Sequence, residues 1–482
     1  MSKQLTSNRT FNRRQLLASL GTAGTALLSG CSMLSQGQRA GTANNGPTQS
    51  GGTQESSSTG PQPTKSESTV DIRDHGATPD DGTDDTQAIR DAATAAGPGG
   101  TVFVPEGTFR IGAGLAEPLH LNDEIMPRGI SFQGESWDTS IVKWVDSSDY
   151  NPGSLGSPRG PLYSPDLDHG EVTIRDMTWH GNWRNLDLNP NGKGSTAFGF
   201  VFQGSGSTSF TVERVRWTDW WTNGGLALHP DVTFRWCDFM NCGLGPDAVA
   251  GSSGHGFNAA SESGEILVED SLFMNISGLA IDHRETGGDV RMRRCYASGL
   301  GTGLMKKKNY SGTAFLENVY AEVRNDFVES ELQSWEGRHG VYSNPTSGDS
   351  AGSLYVDNVK IVNTSRAAID IDNPFDVFGP GPLILENANI DDYRGGAFHV
   401  DGNAEIAMVI GELGIHNTAN GAAFDINGQC RGHIRDLRRS GNPAGLGNTR
   451  GLAIQSDHPN TGQYELEPLT MESVGTASAS ST

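Results

Sequence analysis

The chain has 482 residues, and its 57 acidic side chains against 35 Lys and Arg give a formal net charge of −22 at pH 7. A surface of that sign repels nucleic acid and anionic lipid and keeps the chain soluble, so a polyanionic partner is excluded except where the charge reverses locally. The reversal is at "GLMKKKNYSG", residues 303–312, which holds Lys306, Lys307 and Lys308 in a chain whose other lysines are Lys3, Lys65, Lys143, Lys193 and Lys360.

At the N-terminus, "NRRQLLASLGTAGTALLSGC" pairs Arg13 with Arg14, continues through a short apolar stretch of small residues and stops at Cys31. The stretch is too short and too rich in Gly, Ser and Thr for a membrane-spanning helix, which needs about 20 apolar residues. It resembles a twin-arginine export signal ending in a lipobox, over residues 1–31. The resemblance implies export of a folded protein, lipidation of Cys31 and an extracellular, cell-surface location in which the membrane is met only through that lipid; cleavage with release is the alternative. Residues 32–69 are Gly, Ser, Thr, Gln, Asn and Pro with almost no large apolar side chain, so they bury too little to offset their ordering entropy and are expected to be a disordered linker. A disordered tail is likewise expected over 466–482.

Residues 70–465 contain no second segment of linker composition and are expected to form one long domain. Setting aside the six basic and two acidic side chains of residues 1–69, the rest carries 29 basic against 55 acidic groups, a net charge of −26. With so few lysines this composition is similar to the acidic, high-salt adaptation of haloarchaeal proteins; salt screens its self-repulsion. Cys237, Cys242, Cys295 and Cys430 form no CxxC pair, so zinc and redox motifs are absent and the thiols are expected to pack as small hydrophobes.

The domain opens on "GATPDDGTDDTQAIRDAATAAGPGGTVFVPEGTFRI", where Thr83 or Asp84 is placed to cap a helix whose apolar stripe includes Ala88, Ile89, Ala92 and Ala93. Beyond it, "VTIRDMTW" from Val172, "FTVERVRW" from Phe210, "VTFRWCDF" from Val232, "ILVEDSLF" from Ile266, "VRMRRCYA" from Val290, "AFLENVYA" from Ala314, "LYVDNVKI" from Leu354 and "LILENANI" from Leu383 superimpose without gaps, with starts 38, 22, 34, 24, 24, 40 and 29 residues apart. Alternation, an Asx bend and renewed alternation predict short strands joined by a turn, repeated as a solenoid. The superposition puts Asp176, Asp270, Asn318, Asn358 and Asn387 in one column of left-handed turns. The next column, with Met177, Val215, Cys237, Ser271, Cys295, Val319, Val359 and Ala388, is predicted to point inward. Leucine-rich spacing is missing and propeller blades need about 40 residues each, which leaves a parallel β-helix.

The opening segment also resembles the N-terminal part of the pectate-lyase-like β-helix superfamily, which includes rhamnogalacturonases and related epimerases, through Gly76-Ala77, Asp80-Asp81-Gly82, Thr83-Asp84-Asp85-Thr86, the helix and "GGTVFVPEGTF". The resemblance implies an all-β, single-stranded right-handed parallel β-helix, a pectin-lyase-like solenoid, with a short N-terminal capping helix. A polygalacturonase-type signature of NTD with paired aspartates is absent, which leaves little meaning for "GHG" at Gly254-His255-Gly256.

A second strand follows each bend: "GLALHP" from Gly225, "GFNAAS" from Gly256, "GLAIDHRE" from Gly278, "GLMKKKN" from Gly303, "DFVESEL" from Asp326, "AIDIDN" from Ala368, "AFHVDG" from Ala397 and "AFDING" from Ala423. Period-two alternation turns outward His229, Asn258, Asp282, Arg284, Lys307, Ser330 or Glu329 with Glu331, Asp370, Asp372, His399, Asp401 and Asp425. A slip of one residue exchanges Lys307 for Lys306 and Lys308, so all three lysines are candidates. Neighbouring coils lie about 4.8 Å apart, so Arg284, the lysines, the glutamates and Asp370 are expected within roughly 15 Å.

This cationic cluster on an acidic protein points to an acidic polysaccharide. Elimination from a uronate unit needs its carboxylate neutralised, a base for the proton beside it and an acid for the leaving oxygen. Lys306, Lys307, Lys308 and Arg284 suit neutraliser or base, with Asp282, Glu329 and Asp370 as the catalytic carboxyl groups and His283, Tyr310, Glu331, Asp372 and His399 as substrate contacts. A bound metal is the other route to neutralisation, and Asp282, Glu329 and Glu331 match the hard oxygen ligands of Ca²⁺. Hydrolysis by paired carboxyl groups is the alternative chemistry, with Asp282–Glu329 or Glu329–Asp370 as the pair. A cell-surface protein that only binds glycans is the alternative without chemistry, its charges then forming a ladder of compensating ion pairs. Single histidines (His229, His283, His399) read as surface or turn residues. Trp217, Trp220, Trp221, Tyr310 and Trp335 read as packing groups, with one exposed ring able to stack on a sugar.

Overall fold

The computed structural model describes residues 68–459, apart from 113–118, 121–126, 145–161, 165–169, 183–198, 204–207, 221–222, 230, 244–253, 262, 284–286, 309–310, 324–338, 345–351, 365–366, 372–374, 388–396, 401–403, 418–422, 441–445, 450–451 and 455–456. The described strands form a right-handed parallel β-helix of two sheets, twenty-stranded and twelve-stranded, within one compact unit, Lys65–Leu469. Each long strand of the larger sheet bends once and thereby makes two of the three walls of its coil; the twelve-stranded sheet makes the third.

The bends explain the Asx residues. Asp176, Asp270, Asn318 and Asn358 all have φ between 52° and 59°, the left-handed region that Asx tolerates, and Arg214, Trp236 and Arg294 take the same conformation in the same column. Asn358 donates through Nδ2 to Oδ1 of Asn318 at 2.7 Å, so one corner hydrogen-bonds to the next. Asn387 belongs elsewhere. Leu383 pairs with Val359 rather than Leu354, and Phe375–Gly379 supplies the strand beside Gly352–Tyr355, so Asn387 stacks on Asn363 in a second corner column with Asn241, Asn275 and Asn417.

The predicted inward column is buried at Met177, Val215, Cys237, Ser271, Cys295, Val319 and Val359. Cys237 and Cys295 sit two coils apart with Ser271 between them, and all four described thiols are free. Phe200, Phe234, Phe239, Phe257 and Phe273 fill the interior, with Trp217 and Trp220 also buried. Trp221, Tyr310 and Trp335 lie outside the described residues. At the N-terminal end the helix α1, Thr86–Ala96, buries Ile89, Ala92, Ala93 and Ala96 in the same core as Val102 and Val104. Its N-cap is Asp85, which makes no side-chain cap bond; Asp84 instead accepts from the backbone N–H and hydroxyl of Thr86, while Asp85 accepts from the backbone of Thr78 and Arg110.

Candidate active site

The register of the twelve-stranded sheet places Asn258, Asp282, Lys306, Tyr342, Asp370, His399, Asp425 and Asn448 in one row, one residue per coil. Val201 and Leu226 continue the row toward the N-terminus and form a small apolar cluster separate from the main core, which identifies the row as the outer face. Ile281, Met305 and Val341, one residue earlier in their strands, face the core.

Five of the predicted outward residues, Asn258, Asp282, Asp370, His399 and Asp425, do share this row, and three corrections follow. Lys306, not Lys307, occupies it: Leu304 and Met305 are both fully buried, so alternation begins at Met305 and Lys307 turns to the opposite face. There Lys307 is 1 % exposed, and a Cβ on Gly352 would sit 3.4 Å from its Nζ. Burial pushes its ammonium from the ordinary 10.5 down to about 8, with partial compensation from Asp289. Second, the strand that follows Lys306 is Val341–Asn344 rather than "DFVESEL", so Tyr342 fills the position expected for Ser330, Glu329 or Glu331. Third, the row is not a solvated stripe: Asn258, Asp282, Tyr342, Asp370 and His399 are buried. A ladder of exposed compensating pairs does not describe such a row, because burying charge is costly unless each group is held.

His283 and His229 are not surface residues either. His283 is buried behind the row with Nε2 against the carbonyl of Gly288 at 3.0 Å, and burial followed by the neighbouring Lys307 depresses its pKa to about 3. His229 is fully buried with its ring edge-on to Phe210. Arg284, Glu329, Glu331, Tyr310, Asp372 and Asp401 lie outside the described residues, as does the side chain of Lys308.

Two histidines absent from the sequence-derived set complete the site. The backbone N–H of Leu279 donates to His255 Nδ1 at 3.1 Å, which in the neutral ring leaves the proton on Nε2, 3.3 Å from Oδ2 of Asp282 in the next coil. The Asn223 side chain fixes the backbone of His255 at 2.6 Å. Three coils on, His339 Nδ1 stands 3.2 Å from Oδ2 of Asp370, with its ring 5.0 Å from that of Tyr342. Each histidine precedes a glycine that has no room for a Cβ: one on Gly256 would fall 2.5 Å from the Ala280 carbonyl, and one on Gly340 2.4 Å from that of Ala368. "HGFN" and "HGVY" thus share a glycine pressed against the next coil, but His-Gly also occurs at His75, His169 and His180, so the dipeptide alone does not single out these two histidines.

Lys306 thus lies between two buried carboxyl groups, each with a histidine ring nitrogen beside it, and its Nζ is 5.1 Å from the centroid of the Tyr342 ring. Asp282 and Asp370 are three coils apart, roughly 14 Å, too far for either hydrolytic pairing; Asp370 and Asp425 are two coils apart, about 9.6 Å, at the limit for inversion. Asp425 is engaged with His399 Nδ1 at 2.9 Å and with Asn427. Among the described residues no three His, Cys, Asp or Glu side chains converge to hold a metal ion. The Ca²⁺ expectation joined Asp282 to Glu329 and Glu331, and Asp282 alone of these is described.

Residues 69–163 match the family model described as rhamnogalacturonase A/epimerase, pectate lyase-like. The chain is 27 % identical over 236 residues to mannuronan C5-epimerase AlgE6 of Azotobacter vinelandii, covering 47 % of this chain and 22 % of that protein. It is 34 % identical over 154 residues to mannuronan C5-epimerase AlgE4 of the same organism, covering 30 % of this chain and 25 % of that protein. The match thus spans a quarter or less of these curated relatives. Among solved structures, the catalytic unit of a GH87 α-1,3-glucanase from Streptomyces thermodiastaticus strain HF3-3 superimposes with a TM-score of 0.53 at 16 % identity, over 84 % of this chain and 70 % of that one. These likenesses support the pectate-lyase-like superfamily and its right-handed β-helix.

Proposed function

We propose that the protein is an extracellular polysaccharide-modifying enzyme that removes the proton beside the carboxylate of a uronate unit and completes a β-elimination. The observation that carries this reading is Lys306 on the outer row between Asp282 and Tyr342, one coil from each. A sugar chain laid along the row presents its carboxylate to the Lys306 ammonium, which stabilises the enediolate that forms as the C5–H bond breaks. Tyr342, packed against His339 and under the Lys306 ammonium, takes that proton in its phenolate form. The electron pair becomes the C4–C5 double bond, the C4–O bond breaks, and the leaving oxygen receives the proton of the Asp282 carboxyl, which enters the step as the acid beside a neutral His255 on the other side of Lys306. The relatives named as C5-epimerases support the first step, because inversion at C5 begins with the same proton removal and differs in the face from which a proton returns. Location follows the export-signal reading: the enzyme works at the cell surface, anchored through Cys31.

Incubating the purified domain with uronate polymers in deuterated water separates the outcomes. Ultraviolet-absorbing unsaturated ends mean elimination. Deuterium at C5 without chain cleavage means epimerisation, and new reducing ends without absorbance mean hydrolysis. Retention on a glycan column with no chemical change means a binding protein and removes the proposal.

A further inference from the structure

Phe378 and Val409, 36 % and 39 % exposed, are the two large apolar side chains that stand in solvent among the described residues, and they are register partners in adjacent coils. Tyr355 and Phe315 continue their line toward the N-terminus, one residue per coil, on the twenty-stranded sheet and so on a different wall from Lys306. The four point outward because their strand neighbours, such as Leu354 and Val356 or Met408 and Ile410, are buried in the core. Ring centroids 5.6 Å apart from Phe315 to Tyr355 and 5.4 Å apart from Tyr355 to Phe378 make the line continuous. Arg291, over the Phe315 ring at 3.9 Å and paired with Glu265 and Glu317, closes its N-terminal end. We infer that this strip is a second polysaccharide-binding site, separate from the reaction, which takes the uncharged sugar rings of a neutral chain.

The dimensions argue against a protein as the occupant. Four coils about 4.8 Å apart and rows about 7 Å apart give a footprint on the order of 100 Å². A stable protein interface takes about 800 Å² from each partner. A second copy of the chain also brings the same net charge of −22. A sugar ring has the matching construction, with a face of C–H groups that packs on an aromatic ring and hydroxyls around its edge. Ser353 and Asp376 stand on one side of the strip and Asp357 on the other, each two residues from Tyr355 or Phe378, and neither aspartate forms an ion pair among the described residues. Ionised carboxylates only accept hydrogen bonds, so they hold hydroxyls and repel a uronate. Arg431 stands one coil past Val409, where the strip has ended.

The test is electrophoresis of the purified protein in gels cast with galactomannan, xyloglucan, pullulan or poly-galacturonate. At least one of the three neutral polymers is expected to retard the protein, with apparent affinity about five- to tenfold lower in Phe378→Ala and retardation lost in the double variant Tyr355→Ala/Phe378→Ala. Phe378→Gln alone supplies the same readout if the double variant fails to fold. Lys306→Ala is expected to be retarded like the parent, and the Phe378 variants to keep the parent's retardation by poly-galacturonate and its turnover of uronate polymers. The inference is overturned if no neutral polymer retards the protein, if retardation survives loss of the rings, or if sedimentation shows a dimer that Phe378→Ala dissolves. None of these results bears on proton abstraction at Lys306, which shares no residue with the strip.

Discussion

Nε2 of His255 stands 3.3 Å from Oδ2 of Asp282, reaching from one coil to the next, while the other ring nitrogen receives the Leu279 backbone N–H. Both groups are 2 % exposed, so the imidazole is a polar neighbour of the buried carboxyl where water is excluded. Deleting it removes that polar neighbour and leaves space into which the carboxyl can turn. His255→Ala is expected to lower kcat by about 10²-fold, the low end of the range for a positioned acid–base group, with a smaller change in KM. Asn223→Ala, which releases the His255 backbone, is expected to show the same pattern more weakly. Steady-state kinetics with a parallel unfolding curve check this; a loss of activity that merely tracks a loss of folded protein contradicts it.

The consecutive lysines have opposite roles because a strand alternates its faces. Lys306→Ala removes the cation from the outer row and is expected to cost at least about 10²-fold in kcat/KM, the scale for one lost donor to a developing oxyanion. Lys307→Met changes a buried group on the other face and is expected to keep turnover within a few-fold. If Lys307→Met is inactive but folded and Lys306→Ala is active, the register of Gly303–Lys308 is not the one that serves the reaction.

Lys307 also ties stability to pH. Its folded pKa of about 8 lies below the ordinary 10.5, so between these values the unfolded chain holds more protons than the native one and this residue's contribution rises with pH. Below pH 8 the cost of burying the ammonium is fully present, about 3 kcal/mol from the separation of the two values. Lys307→Met is therefore expected to unfold at higher denaturant than the parent at pH 7, with the gap closing toward pH 10.5. The difference between the two proteins is the quantity to read. Burial raises the pKa of Cys295 to about 12 and of Cys430 to about 11, so these thiols lower stability over the same alkaline window in both proteins. A gap that is absent at pH 7, or that widens as pH rises, contradicts the assignment.

The sequence shows the fold wherever a side chain meets a strict local demand. Corners need a left-handed residue, so Asp176, Asp270, Asn318 and Asn358 mark them even though Arg214, Trp236 and Arg294 break the pattern. The outer row is legible at Asn258, Asp282, Asp370, His399 and Asp425, because each sits beside large apolar neighbours in an alternating strand. It fails at "GLMKKK", where Leu304 and Met305 are both buried as the chain rounds into the strand and the period of two starts one residue late. It fails again at Val341–Asn344, where Val341 is the one large aliphatic side chain and the charged "DFVESEL" looks more like a strand. Gly340 is pressed against the next coil's carbonyl as Gly256 is, but Gly181 after His180 is too, so the dipeptide does not mark that coil in the sequence. Burial of the row was not legible, since alternation tells which face a residue takes and not what lies over that face.

The corner ladder makes a separate claim about stability. Asn358 has a φ of 55° and donates from Nδ2 to Asn318 Oδ1 at 2.7 Å, so it supplies a conformation and a bond at once. Asn358→Ala loses both: the left-handed conformation costs an alanine roughly 1–2 kcal/mol and the hydrogen bond contributes about 1. Asn358→Gly loses the bond but adopts the conformation freely, so it is expected to destabilise less than Ala does. Because each coil leans chiefly on its neighbours, the loss is expected to be local, with hydrogen exchange quickened at Thr313–Glu322 and Gly352–Val362 more than at the N-terminal coils. Denaturant midpoints of the two variants give the ranking and exchange rates give its range. If glycine proves more damaging than alanine, backbone conformation is not what the corner asparagine provides.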